Sequence, residues 1–373
     1  MPIISKVEVH LFRIERKKEI LPKTSHGTTT HNEYVILEIY TKSGVVGIGE
    51  VTCALGWNGE EGVGTADILK RKIAPDLIGK DISNWLEISS VIEPSVRHRP
   101  FLRAGIEMAC LDAEGKLREM PVAQLLGGIR RSEFATKLVL PSREAEVVRG
   151  MAKIALDRGG TAFKVKVGLN LQADRARLAA VRDVIGGARL YVDANEGWRP
   201  DEEPLILDLI DDFNILAVEQ PYPRRMVAES AELQAKTSAL LMADESVWTT
   251  NDVINIAANK SFKVVSLYPG KQGGIRACLE AATLATNLGL GVCLGSNLET
   301  GVGSAAMAHF LAVAPALCKQ IPGDLLGPLY FESDITTDTS WVKWTGASLP
   351  TGPGLGVELD HGVLDSLRIS VTV

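Results

Sequence analysis

The feature of this sequence that most constrains its fold is a unit that recurs about every 25 residues over much of the chain. Each unit holds a short apolar run, and amphipathic helical stretches such as ADRARLAAVRDVI lie between most of the runs. The runs are TKLVL, AFKVKV, RLYVDAN, ILAVEQP, LLMADES, FKVVSLY and GVCLGS. Strands and helices that alternate in this number predict an α/β fold with a parallel barrel.

The regions before and after the repeat have different patterns. IISKVEVHLFRI, EYVILEIYT and VVGIGEVT alternate apolar and polar residues, which predicts a small antiparallel sheet, and a helical period follows up to about residue 126. Near the C-terminus, WVKW, GPGLGVEL and LRISVTV again predict strands, and we expect this tail to return to the N-terminal sheet. We therefore divide the chain into an α+β capping domain (1–125), a barrel (126–330) and a C-terminal segment (331–373).

The charge balance and the N-terminus exclude several classes of partner. Forty Lys and Arg residues against 46 Asp and Glu give a net charge of -6, without a basic block for nucleic acid. The N-terminus lacks a secretory signal pattern, and no stretch reaches the roughly 18 apolar residues of a membrane span. We expect a cytoplasmic protein without a nucleic-acid or membrane partner. The five cysteines lack C-x-x-C spacing and predict neither a disulfide framework nor a zinc site.

Charged and amide side chains stand at the ends of four successive predicted barrel strands. In a parallel barrel, residues just beyond the C-terminal end of each strand face one common mouth. Because these side chains keep nearly the same phase in successive repeats, we expect them in one site. They are Lys164, Lys166, Asp193, Asn195, Glu219, Asp244 and Glu245.

Three of these residues, Asp193, Glu219 and Asp244, suit a hard divalent cation. Oxygen ligands on rigid strands, with no soft ligand among them, favour Mg²⁺, with Mn²⁺ as an alternative. Burial and nearby positive charge lower the pKa of a lysine ammonium, so Lys166 is a candidate for a neutral general base. The alternative is that each carboxylate caps the helix after its strand and each lysine balances its charge. Four repeats in the same phase argue against that alternative.

The motifs FKVKVG, YVDANEGW, VEQPYP, MADES and KQGGI resemble the muconate lactonizing enzyme subgroup of the enolase superfamily. IEMACLDAEGK and LLGG also resemble the helix that precedes the barrel in that family, so the resemblance extends over nearly the whole chain. It implies a modified TIM barrel, (β/α)7β, whose N-terminal capping domain is completed by the C-terminal tail. It also implies a small carboxylate substrate and assembly as a dimer or an octamer.

The resemblance further implies roles for individual residues. Asp193, Glu219 and Asp244 match the metal ligands, and Lys166 matches the base that removes the proton next to the substrate carboxylate. Lys164 matches the lysine that polarises this carboxylate.

The same resemblance implies roles for residues around the metal ligands. Asn195 and Glu245 match residues that orient the ligands, and Asp324 stands where the family has an acidic residue after the seventh strand.

One position departs from the subgroup's pattern. Where the subgroup has a second catalytic lysine, three residues before the lysine of K-x-G-G, this chain has Tyr268. Lys271 matches the later, non-catalytic lysine, although a bulge at Pro269 and Gly270 could bring it to the site. The His-Asp pair of the mandelate racemase subgroup has no match, since His309 lies in a helical run.

This departure bears on the reaction. A racemase or epimerase needs an acid or base on each face of the enolate, and tyrosine is a poor base at neutral pH. Cycloisomerisation needs one lysine, and elimination needs one base plus an acid that the Tyr268 hydroxyl can supply; alternatively, Tyr268 is only an aromatic wall of the pocket. We therefore expect a cycloisomerase, of the muconate cycloisomerase kind, or a lyase or dehydratase. The alternatives are a racemase or epimerase of an amino acid derivative or dipeptide, and a barrel that only binds a ligand.

Two loops of the capping domain are expected to contact the substrate. Ser25 and His26 lie in a polar loop that, in the resembling family, covers the barrel mouth, although a solvent-exposed histidine is an alternative. Trp57 occupies the second loop, and its alternative role is packing between the cap and the barrel.

Overall fold

The computed structural model of the protein describes residues 1–17, 23–24, 27–28 and 31–369. The first five strands are β1 (Ile4–Glu15), β2 (Lys23–Thr24), β3 (Gly27–Thr28), β4 (His31–Thr41) and β5 (Val46–Cys53). The three long ones form an antiparallel sheet in the order β1-β4-β5, and β2 pairs with β3. Alternating apolar residues are in register across this sheet, as Val9 opposite Leu37 illustrates, which confirms the predicted N-terminal sheet.

A helical region follows and packs on this sheet. Its helices are α1 (Leu55–Asn58), α2 (Gly62–Ile68), α3 (Ala74–Leu77), α4 (Trp85–Val96), α5 (Pro100–Leu117) and α6 (Val122–Leu125). Helix α5 lies directly on β5. The approach is so close that a Cβ on Gly49 would come within 2.0 Å of the Gly105 carbonyl oxygen. Glycine is therefore required on β5 for this close approach. None of the described helices is long and apolar enough to cross a membrane.

The central part of the chain alternates strands and helices. After β6 (Glu133–Phe134), the strands are β7 (Leu138–Leu140), β8 (Ala162–Lys166), β9 (Arg189–Asp193), β10 (Ile215–Glu219), β11 (Leu240–Ala243), β12 (Val264–Leu267) and β13 (Gly291–Leu294). The helices are α7 (Ala145–Asp157), α8 (Leu171–Ile185), α9 (Glu203–Asp212), α10 (Val227–Lys236), α11 (Thr250–Asn259), α12 (Pro269–Gln272), α13 (Ile275–Asn287) and α14 (Gly301–Val313).

Strands β7 to β13 form one seven-stranded parallel sheet in which each strand neighbours the next in sequence. The segment before Asp324 occupies the gap between the two edges. The Gly323 amide donates to the Ala135 carbonyl at 3.1 Å, and the Asp324 amide donates to the Leu294 carbonyl at 3.1 Å. These bonds close the barrel and confirm the expected modified TIM barrel.

The C-terminal tail differs in part from the expectation. Its strands β14 (Val342–Lys343) and β15 (Gly346–Ser348) pair with β6 at the barrel instead of with the N-terminal sheet. GPGLGVEL forms no strand and packs on the cap helix α5, where the Leu355 amide donates to Asp112 at 2.7 Å. LRISVTV begins at the last residue of helix α15 (His361–Leu367), and only Leu367, Arg368 and Ile369 of it are described. The Ile369 amide donates to the Leu11 carbonyl at 3.0 Å, so this end of the tail does reach the N-terminal sheet. The strand prediction is therefore confirmed for WVKW and wrong for GPGLGVEL, because hydrophobic alternation does not identify which sheet edge is free.

Candidate active site

A cavity of about 460 Å³ lies between the capping domain and the C-terminal ends of the barrel strands. The capping domain contributes Arg16 directly after β1, residues of β4, and the end of β5 with the segment that follows it. The barrel contributes the ends of strands β7 to β10 and later loops. Most of the charged and amide side chains predicted from strand phase line this cavity. They are Lys164, Lys166, Asp193, Asn195, Glu219 and Asp244, and Asp324 joins them.

The two lysines at the end of β8 point to the same face, because side chains two residues apart on a strand do so. Lys164 Nζ lies 2.8 Å from Glu219 Oε2, 2.5 Å from Asp324 Oδ2 and 3.5 Å from Asp193 Oδ2. Lys166 Nζ donates to Asp193 Oδ2 at 2.5 Å, and it is the more exposed of the two lysines. Both lysines therefore line the cavity, and Lys164 is the more deeply buried of the two.

Three buried carboxylates face these lysines from neighbouring strands. Burial, together with the neighbouring Asp193 and Asp244 carboxylates and against the effect of Lys164, raises the pKa of Glu219 to about 8. Burial would also raise the pKa of Asp193, but Lys166 and Lys164 hold it below its ordinary value. Neighbouring carboxylates that raise one another's pKa indicate a cluster with too little positive charge.

Lys271 contacts the third carboxylate from outside the cavity. It is fully buried, and its Nζ lies 2.5 Å from Asp244 Oδ1 and 2.8 Å from the carbonyl oxygens of Asp244 and Ser266. Lys271 does not line the cavity among the described residues. Its position is consistent with a residue that holds Asp244 and gives no support to a shifted catalytic lysine.

The donor set fits a divalent cation of the hard class. Asp193, Glu219 and Asp244 offer buried carboxylate oxygens without a sulfur donor beside them, and the raised pKa of Glu219 indicates room for added positive charge. Each of the three carboxylates contacts a lysine, so an ion bound here would share its ligands with these ammonium groups.

A second cluster of potential ligands lies on the capping sheet. The donor atoms of Glu8, His10 and Glu38 all lie within 4.8 Å of one another. Lys6 and Tyr40 contact Glu8, however, and Arg368 contacts His10, so protein groups already satisfy this cluster. We assign it a structural role.

Asn195 and Glu245 connect the barrel residues to the cap. Asn195 Oδ1 accepts from Lys166 Nζ at 2.9 Å, and Asn195 Nδ2 donates to Glu245 Oε1 at 3.1 Å. The same Glu245 oxygen accepts from Trp57 Nε1 at 3.4 Å. This chain of hydrogen bonds joins Lys166 to the cap loop.

Tyr268 lies behind the cavity wall. Its ring is 6.2 Å from that of Trp57 and 6.1 Å from that of Phe101, and Tyr268 itself does not line the cavity among the described residues. Its hydroxyl is buried and has no hydrogen-bond partner within the described part of the chain. Burial raises the pKa of Tyr268 well above its ordinary value, and Asp244 adds to the shift. The phenol is therefore neutral at ordinary pH.

Lys137 is a buried member of the network that sequence reasoning missed. Its Nζ lies 2.9 Å from Asp324 Oδ1 and 2.8 Å from the Pro322 carbonyl oxygen. Burial would raise the pKa of Asp324, but Lys137 and Lys164 lower it below its ordinary value. The sequence signal that could have identified Lys137 is its place at the start of the apolar run TKLVL, because a charge in a buried strand needs a buried partner.

The cap-loop predictions have mixed outcomes. Trp57 lines the cavity, and so does His31 at the start of β4. Ser25 and His26 lie outside the described residues. His309 does not line the cavity in the described part of the chain. Its ring accepts from the Ala123 amide at 3.1 Å and contacts the Leu355 carbonyl, which connects α14 to the cap and the tail.

Comparisons with known proteins agree with this geometry. Residues 6–127 match the mandelate racemase / muconate lactonizing enzyme N-terminal domain, and residues 146–363 match the enolase C-terminal domain-like family. A chloromuconate cycloisomerase from Cupriavidus pinatubonensis is 32% identical over 89% of this chain and 90% of its own. An N-succinyl-L-Arg/Lys racemase from Bacillus cereus is 29% identical over 97% of each chain.

A solved structure resembles the whole chain. Muconate lactonizing enzyme from Pseudomonas fluorescens, complexed with muconolactone, superposes with a TM-score of 0.93 at 30% identity and covers 99% of this chain and 100% of its own. The protein therefore belongs to the mandelate racemase and muconate lactonizing enzyme family of the enolase superfamily, whose enzymes use a divalent metal to form an enolate.

Proposed function

We propose that this enzyme holds Mg²⁺ with Asp193, Glu219 and Asp244, and that Lys166 removes the proton next to the carboxylate of a small substrate. When bound, the cation supplies positive charge to the substrate carboxylate and so lowers the cost of forming the enolate. Mn²⁺ has the same ligand preference and is an expected substitute.

The remaining catalytic and positioning roles belong to side chains around the proposed metal ligands. Lys166 is the reachable lysine, and its contacts with Asp193 and Asn195 support a fixed position at the cavity. A base must be fixed within reach of the proton it removes. Lys164 is fully buried between Glu219 and Asp324, which supports a permanent cation that attracts the substrate carboxylate. Asn195 and Glu245 are positioning residues in this proposal.

The observation that favours a one-base reaction is the composition of the cavity wall. Lys164 and Lys166 are the lysines that line it among the described residues, and both come from β8. Lys271 is held by Asp244 outside the lining. One base on one face suffices for cycloisomerisation or β-elimination, so we place the enzyme among the cycloisomerases or lyases of its family.

Racemisation is the second candidate, because similar proteins carry that activity. Besides the N-succinyl-L-Arg/Lys racemase, an L-Ala-D/L-Glu epimerase from Bacillus subtilis is 29% identical over 93% of this chain. This candidate requires a second acid or base on the opposite face. Tyr268 is the residue in the corresponding position, and its neutral hydroxyl would have to reach the substrate.

The dimeric or octameric assembly and the cytoplasmic location stay predictions of the sequence.

Proton exchange tests the proposed function directly. A library of N-acyl amino acids, dipeptides, sugar acids and muconates is incubated with the enzyme and Mg²⁺ in D₂O, and deuterium at the carbon next to the carboxylate is followed by NMR. We expect metal-dependent exchange on one face without inversion. Exchange into both enantiomers would support the racemase instead.

The Lys166→Ala variant tests the assignment of the base. We expect exchange to fall on the order of 10³-fold, because the general base is lost, while Mg²⁺ binding measured by calorimetry stays near that of the unchanged enzyme. Lys153→Ala is the matched control, since Lys153 is exposed on α7 and contacts Asp157. A Lys166→Ala enzyme with full activity would refute the assignment.

A further inference from the structure

The side chain of Lys166 has two partners among the described residues. Its Nζ contacts Asp193 Oδ2 and accepts no other carboxylate, and it donates to Asn195 Oδ1 at 2.9 Å. Asp193 is a proposed metal ligand, so a bound ion would share its oxygens with Lys166. Asn195 is the partner that is not a proposed ligand. The direction of the Lys166 ammonium therefore depends on how the Asn195 amide is oriented.

The Asn195 amide is oriented from its other end by Glu245. Asn195 Nδ2 donates to Glu245 Oε1 at 3.1 Å. An ionised carboxylate only accepts hydrogen bonds, so the NH₂ group of the amide must face Glu245. The amide oxygen then faces Lys166, where an ammonium needs an acceptor. The position of one carboxylate oxygen thus determines which end of the amide reaches the base.

Two tryptophans hold Glu245 through their indole N–H groups. Trp57 Nε1 donates at 3.4 Å to Glu245 Oε1, the same oxygen that accepts from Asn195. Trp248 Nε1 donates to the Glu245 backbone carbonyl at 2.9 Å, and the two indole rings lie 5.2 Å apart. Trp248 therefore fixes the backbone of Glu245, whereas Trp57 contacts the side-chain oxygen that orients Asn195.

Trp57 is itself held in the cap loop by its neighbour Asn58. Asn58 Oδ1 accepts from the amides of Ala54 and Glu60 at 3.2 and 2.9 Å. Asn58 Nδ2 donates to the Thr52 carbonyl at 2.9 Å, which connects the loop to the end of β5. Trp57 also lines the cavity, so one side chain both faces the substrate space and bonds to the barrel.

We propose that Trp57 is a positioning residue for the base: its indole N–H fixes Lys166 through Glu245 and Asn195. The bond uses the N–H group and not the ring, so packing alone does not explain it. The cap loop that faces the substrate thereby also positions the base, and a base displaced by a fraction of an ångström loses rate. This inference rests on the proposed function, since it concerns the same lysine.

Replacing Trp57 by Phe removes the indole N–H and keeps an aromatic ring in the cavity wall. In the Mg²⁺-loaded enzyme, we expect kcat for proton exchange to fall about tenfold and KM to change less than about threefold, because positioning of the base affects the chemical step. The rates are measured in D₂O on the member of the carboxylate library that exchanges fastest. An unchanged kcat, or a loss confined to KM, would show that Trp57 is only a wall of the cavity.

Trp85→Phe is the matched control. Trp85 begins α4, its ring faces the guanidinium groups of Arg103 and Arg276, and it does not line the cavity within the described part of the chain. The same substitution at this position should leave kcat unchanged.

The Asn195→Ala background tests the route by which Trp57 acts. In that variant the connection to Lys166 is already broken, so adding Trp57→Phe should lower kcat by less than about twofold more. A further loss of about tenfold, additive with that of Asn195→Ala, would mean that Trp57 does not act through Asn195.

A measurement without turnover separates this inference from the proposed function. The enzyme is labelled with 5-fluorotryptophan, and the ¹⁹F NMR signal of Trp57 is identified by its absence in Trp57→Phe. We expect this signal to shift in Lys166→Ala, whereas the Trp85 signal stays in place. A Trp57 signal that does not respond would overturn the inference. A response in an enzyme that exchanges no proton would contradict only the proposed function. If Trp57→Phe fails to fold, replacement of the other five tryptophans in turn identifies the signal by elimination.

Discussion

On the barrel side of the cavity, most of the charged groups stand at or just beyond strand ends. On the cap side Glu33 lies within β4, and the other charged groups lie in segments that connect strands and helices. Lys164 and Lys166 end β8, and their partners Asp193 and Glu219 end the next two strands, β9 and β10. On the cap side, Glu60 and Trp57 lie in and around the short helix α1, between β5 and α2. Rigid strands suit a reaction that every family member shares, and connecting segments can change without loss of the barrel. In our proposal, the barrel side therefore carries out the chemistry and the cap side selects the substrate.

The largest expected effect is on the barrel side, where the charge network is fully buried. Replacing Lys137 by Met leaves Asp324 Oδ1 and the Pro322 carbonyl without their ammonium, so we expect the free energy of unfolding to fall by about 4 kcal/mol. Urea unfolding followed by circular dichroism measures this loss. Lys153→Met, on the exposed face of α7, should change stability little. A loss of unfolding free energy below about 1 kcal/mol would mean that the buried charges do not stabilise the barrel side.

The next prediction concerns the contact between the two sides. Glu50 of β5 accepts from the amides of Thr300 and Gly303 at the start of α14, at 3.1 and 2.9 Å, and burial raises its pKa to about 7. Because the pKa is raised on folding, its contribution to stability is full below about pH 4.5 and is lost as the pH rises through about 7. Between pH 5 and pH 8 we expect unfolding free energy to fall by up to about 3 kcal/mol relative to Glu50→Gln. Parallel pH profiles of the two proteins would contradict this.

A smaller loss is expected from the packing of the cap itself. A methyl group on Gly49 would lie 2.0 Å from the Gly105 carbonyl oxygen, so Gly49→Ala must push α5 away from β5. We expect a loss of about 2 kcal/mol in thermal or urea unfolding. Gly150→Ala is the matched control, because its Cβ meets nothing within 4 Å and alanine favours a helix. A fully stable Gly49→Ala would show that the cap tolerates movement at this contact.

The smallest effect is expected at Tyr268, between the two sides. Its hydroxyl has no hydrogen-bond partner and its ring packs with Trp57 and Phe101, so Tyr268→Phe removes little that the described structure uses. We expect the exchange rate to change less than about threefold. A loss on the order of 100-fold would identify the hydroxyl as an acid in the reaction and would favour elimination or racemisation.

The sequence by itself determined the barrel and the chemical side of its cavity. Lys164, Lys166, Asp193 and Glu219 were predictable because the strands of a parallel barrel all end at one mouth, whatever their separation in sequence. The motifs around them then indicated the family, which the comparisons confirmed.

Tertiary structure alone decided which side chains pair and which face the cavity. Lys137 meets Asp324 from the opposite edge of the closed barrel, Lys271 turns to Asp244, and Tyr268 lies behind the wall. Glu60 Oε1, which has no hydrogen-bond partner among the described residues, is likewise recognisable only in the folded cap. The physical reason is that strand phase fixes the direction of a side chain, whereas its partner and its burial depend on packing between elements far apart in the chain.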